Sequence, residues 1–377
     1  MLIGVVAESD PRETRVAASP ETVKKFIALG ADVAVQHGAG FAAGVTEADF
    51  LAAGARLVDA ADAFGADIVL KVRRPNETEM ARLKSGALVV ATMDPYGHLA
   101  EIEAMAKAGV SAFAMELMPR ITRAQSMDVL SSQANLAGYR AVVDATAEYG
   151  RALPMMMTPA GTVPAAKAFI MGVGVAGLQA IATARRLGAM VTATDVRPAT
   201  KEQVESLGAK FVAVEDDEFK QAETAGGYAK EMSDAYKAKQ AALVTTHIAK
   251  QDIVVTTALI PGRPAPRLIT AEMVASMRAG SVIVDMAVER GGNCELSRAG
   301  ELFVTEGGVK IVGYSSVTRL AASASALYAR NLFAFVETLI DKSTKAIAVK
   351  WDDDLVKATC LTRDGAVVHP NFQPKAA

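Results

Sequence analysis

The chain is poor in the residues that small secreted scaffolds and metal domains depend on. It has two cysteines, Cys294 and Cys360, and four scattered histidines, His37, His98, His247 and His369. Two cysteines give no disulfide framework and read as buried free thiols of a reducing compartment. With no CxxC pair and no Cys/His cluster, no metal site is expected. Charge of one sign is also missing: 40 basic against 42 acidic residues leave a net charge of −2. That balance excludes the basic footprint of a nucleic-acid binder and a polybasic membrane anchor. The beginning, MLIGVVAESDPRETR, is acidic within ten residues and lacks the pattern of a secretory signal. The charge-free run from Ala168 to Ala184 covers 17 residues and holds three glycines at turn spacing. It reads as a buried strand entering a helix rather than as a membrane span, so a cytoplasmic protein with no direct membrane insertion is expected.

What is abundant is apolar residues, 51% of 377, enough for two sizeable cores. Short apolar runs alternate with helical patterns. Strands are expected at Leu2–Ala7, Asp32–Gln36, Ile68–Val72, Ala87–Ala91 and Ser111–Met115. The helices between them include one opened by Ser19-Pro20-Glu21, an N-cap followed by proline at the first helical position. A second series runs through Ala168–Met171, Met190–Thr194, Lys210–Val214, Asp252–Thr256, Ser281–Asp285 and Val309–Val312. Strands alternating with helices imply parallel sheets covered on both faces. The expected fold is α/β: two Rossmann-like, doubly wound parallel-sheet domains joined by long helices. The domains are expected at 1–130, completed by 320–377, and at 131–319. Met155–Pro164 reads as an apolar loop, and Ala346–Trp351 and Leu355–Cys360 as strand-like runs.

One motif carries chemistry. The turn Gly172-Val173-Gly174-Val175-Ala176-Gly177 follows an apolar strand and opens a helix. The first glycine permits a tight turn, the second lets a pyrophosphate approach the backbone, and the third lets helix and strand pack closely. The helix N-terminus presents free amides and partial positive charge to phosphate. The next strand ends in Asp195, 21 residues after Gly174. A carboxylate there accepts hydrogen bonds from ribose hydroxyls and repels a 2′-phosphate, so NAD(H) is expected over NADP(H). Val196 and Arg197 follow, with Arg197 expected beside the adenine or paired with acids on the solvent side. Leu259, just past the strand ending at Thr256, is placed to line the nicotinamide side, although an ordinary strand exit gives the same sequence.

Four segments resemble one family closely: MELMPRITRAQSMDVLSSQANLAGYRAV, FIMGVGVAGLQAIATARRLGAMVTATDVRPATKEQVESLGAKF, AETAGGYAKEM and VTTALIPGRPAP with GSVIVDMAVERGGNCELS. The chain is similar over nearly its whole length to the NAD(H)-binding alpha components of proton-translocating NAD(P)+ transhydrogenases, with alanine dehydrogenases as related enzymes. The resemblance implies a homodimer that donates hydride from NADH to NADP+. It places NADP(H) on a partner subunit and proton translocation in a separate membrane-spanning subunit, so the chain would lie peripheral to the membrane in a split form of the complex. Arg120, Gln125, Asp128 and Ser131 match the positions that hold the nicotinamide, its carboxamide and the neighbouring ribose, and Gln125 also faces the partner's nucleotide. Gly227 and Tyr228 match a flap over the nucleotide, with Gln240 just beyond it.

The alternative is an amino-acid dehydrogenase of the alanine type. For it Arg15 and Lys71 match substrate positions, His98 is a candidate acid/base, and Glu289 stands where those enzymes place an aspartate. A non-catalytic NAD sensor is a third reading.

Overall fold

The structure is a computed structural model that describes residues 1–222, 232–260, 262–314 and 317–373. The chain divides into two compact units, Met1–Gln133 with Thr318–Ala377, and Ala134–Val317.

In the first unit six strands form one parallel sheet: β1 (Leu2–Val5), β2 (Asp32–Gln36), β3 (Arg56–Val58), β4 (Ile68–Arg73), β5 (Leu88–Thr92) and β6 (Ser111–Ala114). Their order is β3-β2-β1-β4-β5-β6. The chain thus starts in the middle and winds outward in both directions, leaving a switch point between β1 and β4. Alternation along the strands feeds two faces. Ile3, Val5, Val33, Val35, Ile68 and Leu70 pack with Tyr328, Leu332 and Phe335 of the helix Ala321–Val336. Val6, Ala34 and Val69 pack with Ala63 and Phe64 on the other side. Gly4 is required between them, because a Cβ there would stand 1.9 Å from the Ala63 carbonyl oxygen.

In the second unit an exposed antiparallel hairpin, β7 (Met156–Thr158) and β8 (Gly161–Val163), precedes the main sheet. The sheet holds β9 (Lys167–Met171), β10 (Met190–Thr194), β11 (Lys210–Phe211), β12 (Ile253–Thr256), β13 (Val282–Asp285), β14 (Leu302–Val304) and β15 (Lys310–Val312). The order is β11-β10-β9-β12-β13-β15-β14, parallel except for the β14–β15 pair. Here too the chain begins centrally and reverses direction, with the switch point between β9 and β12. Ala168, Ile170, Ile253 and Val255 pack on Ala141, Val142 and Ala145 of the helix Val129–Glu148 and on Ala180, Ile181 and Ala184 of the helix Val175–Arg186. Phe169, Met171 and Val254 face Val244 and Ile248 of the helix Asp234–Ile248.

Three expectations fail locally. Met155–Pro164 is a hairpin rather than a loop; its side chains find no shared core, so apolar periodicity gives no strand signal. Leu355–Cys360 is mostly helix, Asp354–Thr359, because Asp353 caps the Leu355 amide and Leu355, Val356 and Thr359 are buried on one helical face. Ala346–Trp351 contributes only Ala346–Ile347 as strand. No helix among the described residues is long and apolar enough to cross a membrane.

Candidate functional site

The glycine turn sits at the switch point of the second sheet, beyond the carboxyl ends of β9 and β12. Gly172 takes a left-handed φ of 99° and donates its N–H to the Thr194 carbonyl at 2.9 Å. A Cβ on Gly177 would lie 1.9 Å from the Gly172 carbonyl oxygen, so only glycine lets the helix Val175–Arg186 start this close to its strand. Gly174 is different. It is exposed, its backbone is extended (φ −80°, ψ −168°), and a Cβ on it would meet nothing within 4 Å. The helix that follows has no side-chain cap. Its first-turn amides are therefore left for a ligand or solvent. An open approach at the second glycine and uncapped amides beside it fit a pyrophosphate. Val173 is buried, Val175 is exposed and Ala176 lies half-buried between them.

Asp195 stands at the end of β10. Its Oδ2 accepts from the Val173 amide at 2.8 Å, which ties the carboxylate to the glycine turn. Arg197 is not directed to outlying acids as its position suggests. Its Nε and Nη2 donate to the two oxygens of Asp195 itself, at 2.9 and 3.0 Å. The two residues stand two apart in the chain, and a partly buried carboxylate draws the nearest guanidinium. Val196 is exposed beside them. Gln240 bridges the same edge, accepting from the Val214 amide at 2.9 Å and donating to Thr194 Oγ1 at 3.1 Å. Gly227 and Tyr228 lie outside the described residues.

On the other side of the switch point, Leu259 is exposed just after β12. Two residues that sequence reasoning missed hold that exit. Asn293, fully buried, accepts from the Ala258 amide and donates to the Ala258 and Pro266 carbonyls at 3.1, 2.9 and 2.8 Å. Asp285, also fully buried, accepts from the Cys294 amide and Ser297 Oγ. Gly138 was missed as well: a Cβ there would stand 2.0 Å from the Ala176 carbonyl oxygen. A lone glycine inside a long helical pattern is costly unless something packs against it, and that was the available signal.

The polar loop of the first unit is pinned from below. Ala124 and Met127 are in the core, Asn331 Nδ2 donates to the Ser126 carbonyl at 2.7 Å, and Arg123 clasps Asp353 with bonds of 2.8 and 2.7 Å. Asp128 and Ser131 are brought together. Asp128 Oδ1 accepts from the Ser131 amide at 2.8 Å, and Ser131 Oγ donates to Oδ2 at 2.5 Å. This caps the helix Val129–Glu148. Arg120 and Gln125 are exposed.

At the switch point of the first sheet the polar groups are consumed internally. Lys71, 1% exposed, is 3.0 Å from Glu79 and 3.3 Å from Glu8. Burial pushes the Glu8 carboxyl up, against the opposing charge of Lys71. Arg15 holds Glu13 with two bonds of 2.7 Å and donates to Gln133 at 2.9 Å. Burial works to raise the Glu13 carboxyl, but the hydrogen bonds and charge of Arg15, joined by Arg73, outweigh it and hold it below 4.5. His98 lies 3.1 Å from Glu101, and Glu289 is exposed in a short 3-10 turn. Cys294 and Cys360 are free and buried.

Comparison with known proteins accords with this architecture. The family models described as the N- and C-terminal domains of alanine dehydrogenase/PNT match residues 4–137 and 141–370. The first of the alpha-subunit polypeptides of NAD(P) transhydrogenase from Rhodospirillum rubrum is 56% identical over the whole of both chains. The crystal structure of transhydrogenase from Sinorhizobium meliloti superposes with a TM-score of 0.90 at 61% identity, covering 98% of this chain and 100% of the other. Alanine dehydrogenase of Halomonas elongata is more distant, 32% identical over 98% of this chain and 95% of its own. Two doubly wound units, the glycine turn with its carboxylate, and these matches across the full length establish that the chain belongs to the alanine dehydrogenase/PNT family, with NAD(P) transhydrogenase alpha subunits among its relatives.

Proposed function

We propose that the chain is the NAD(H)-binding component of an NAD(P) transhydrogenase. It passes hydride from NADH to NADP+ held by a partner subunit, coupled to proton translocation by a separate membrane-spanning subunit. The observation that carries this is the built dinucleotide site: an open Gly174, an uncapped helix and the Asp195 carboxylate tied to the turn, in a chain 56% identical to a transhydrogenase alpha-subunit polypeptide.

The chemistry asks little acid–base work of the protein, because hydride passes between two nicotinamide carbons without exchange of a proton. What the protein supplies is positioning, with the reacting carbons brought to roughly 3–3.5 Å and water excluded. Backbone amides of the glycine turn hold the pyrophosphate, and Asp195 selects a ribose without a 2′-phosphate. Arg120, Asp128 and Ser131 orient the nicotinamide and its ribose, and Gln125 reaches the partner's nucleotide. A loop anchored by Asn331 and by Arg123–Asp353 suits that role better than a solvated linker does. The protein works as a homodimer on the cytoplasmic side, peripheral to the membrane through its partners.

The amino-acid dehydrogenase reading loses support at one specific place. Such an enzyme needs a cationic anchor open to a substrate carboxylate, whereas Arg15 is taken by Glu13 and Gln133, and Lys71 by Glu8 and Glu79.

The test mixes the purified chain with a candidate NADP(H)-binding component and follows hydride exchange between NADH and an NADP+ analogue. Exchange that requires both components is expected. NADH bound by the chain with no exchange would defeat the transhydrogenase reading, and NADPH bound as tightly as NADH would defeat the assignment of Asp195.

A further inference from the structure

The pairing of Arg197 with Asp195 bears on how tightly a nucleotide is held. A carboxylate offers about four acceptor positions. On Asp195, Oδ1 receives the Arg197 backbone amide and Arg197 Nε, each at 2.9 Å. Oδ2 receives the Val173 amide at 2.8 Å and Arg197 Nη2 at 3.0 Å. All four positions are filled by the chain's own donors. Two come from backbone, the Val173 amide of the glycine turn and the Arg197 amide of the segment after β10, which the fold holds in place. The other two come from one guanidinium, on a side chain that is 30% exposed and able to move.

We infer that Arg197 is an internal competitor of the adenosine ribose: its guanidinium occupies the two exchangeable positions on Asp195, and a dinucleotide binds by displacing it. This rests on the reading of the glycine turn as a dinucleotide site. Two hydroxyl donors of the ribose replace the two N–H donors on Asp195, while the exchange gives up an ion pair and the longer bond from Arg197 Nη2 to the Val173 carbonyl at 3.4 Å. The apparent affinity is lowered by the fraction of molecules in which the carboxylate is covered. That suits an enzyme whose oxidised nucleotide must leave after each transfer, since tight ground-state binding adds nothing to the rate once the site is saturated.

The experiment measures NADH binding by calorimetry for wild type, Arg197→Ala, Asp195→Ala and the double variant. Arg197→Ala is expected to tighten NADH roughly three- to tenfold, the scale of a partly exposed ion pair. Arg197→Lys, unable to present two donors in a fork, is expected to tighten it less. In the Asp195→Ala background the gain from Arg197→Ala is expected to disappear. On adding NADH to wild type, the Arg197 Nε–H resonance is expected to shift as it leaves the carboxylate. Unchanged or weaker NADH binding in Arg197→Ala overturns the competition, and so does a gain that survives in Asp195→Ala. The parent reading fails separately: if Asp195→Ala alone leaves NADH affinity intact, the carboxylate is not part of a nucleotide site.

Discussion

Gly177 and Gly174 stand three residues apart in one turn and are expected to fail in opposite ways when each gains a single methyl group. For Gly177→Ala the new Cβ lies 1.9 Å from the Gly172 carbonyl oxygen and 2.9 Å from its carbon, both backbone atoms. Ordinary contact requires the helix Val175–Arg186 to retreat by about 1.5–2 Å. That helix packs Ala180, Ile181 and Ala184 into the core of the second unit, so the retreat opens space along a whole face. Overpacking of this kind costs about 1–3 kcal/mol, which lowers the Tm of a unit of this size by roughly 2–12 °C. For Gly174→Ala the backbone, φ −80° and ψ −168°, is one any residue adopts, and the methyl meets nothing within 4 Å. Its Tm is expected to stay within about 2 °C of wild type. Its NADH affinity is expected to fall by about tenfold or more, because the methyl stands where a pyrophosphate must approach the backbone. Scanning calorimetry without nucleotide and titration with NADH separate the two effects. Wild-type NADH affinity in a fully folded Gly174→Ala would refute the reasoning, and so would equal destabilisation by both substitutions.

Three further outcomes are expected. Gln125→Asn is expected to slow hydride exchange with the NADP(H) component by about tenfold or more while barely changing NADH affinity, since the shortened side chain loses its reach; equal losses in both measurements would remove Gln125 from that role. Two carboxylates, the buried Glu13 and the half-buried Glu116, are expected to shape stability in opposite directions with pH, as followed by denaturant midpoints from roughly pH 3.5 to 8. Glu13 is held below 4.5 in the fold, so its contribution is present above 4.5 and lost as pH falls through the depressed value; Glu13→Gln is expected to cost about 3 kcal/mol near pH 7 and progressively less in acid. Glu116, raised above 4.5 by burial despite accepting from the Met93 and Asp94 amides, contributes most below 4.5 and loses that contribution as pH rises through its raised value. Glu116→Gln is therefore expected to flatten the loss above pH 4.5, and parallel curves for the two variants would refute the assignment. Alanine with NAD+, or pyruvate with NADH and ammonium, is expected to give no turnover in the isolated chain, and clear turnover would restore the amino-acid dehydrogenase reading.

Much of the dinucleotide site is legible in the sequence because its geometry is local. Three glycines, an apolar strand before them and Asp195 a fixed distance after them fall within one β-α-β stretch, where chain connectivity alone places the parts together. The apolar runs likewise mark the central strands, because a parallel sheet covered on both faces must be apolar throughout. The loop from Arg120 to Ser131 carries no such local signal, and the roles proposed for it rest on resemblance to a family.

The sequence by itself determined where chain direction, burial and backbone freedom must change, since those follow from neighbours a few residues apart. Tertiary structure decided which polar groups remain available. Arg15 and Lys71 look like free cations until Glu13, Glu79, Glu8 and Gln133 close around them, and Asp195 looks like a free acceptor until Arg197 turns back onto it. It also decided that Asn331 pins Ser126, 205 residues away, and that 354–359 coils into a helix rather than extending. Pairings of this kind depend on where distant segments meet in space, and a charged side chain takes whichever partner the fold brings within reach.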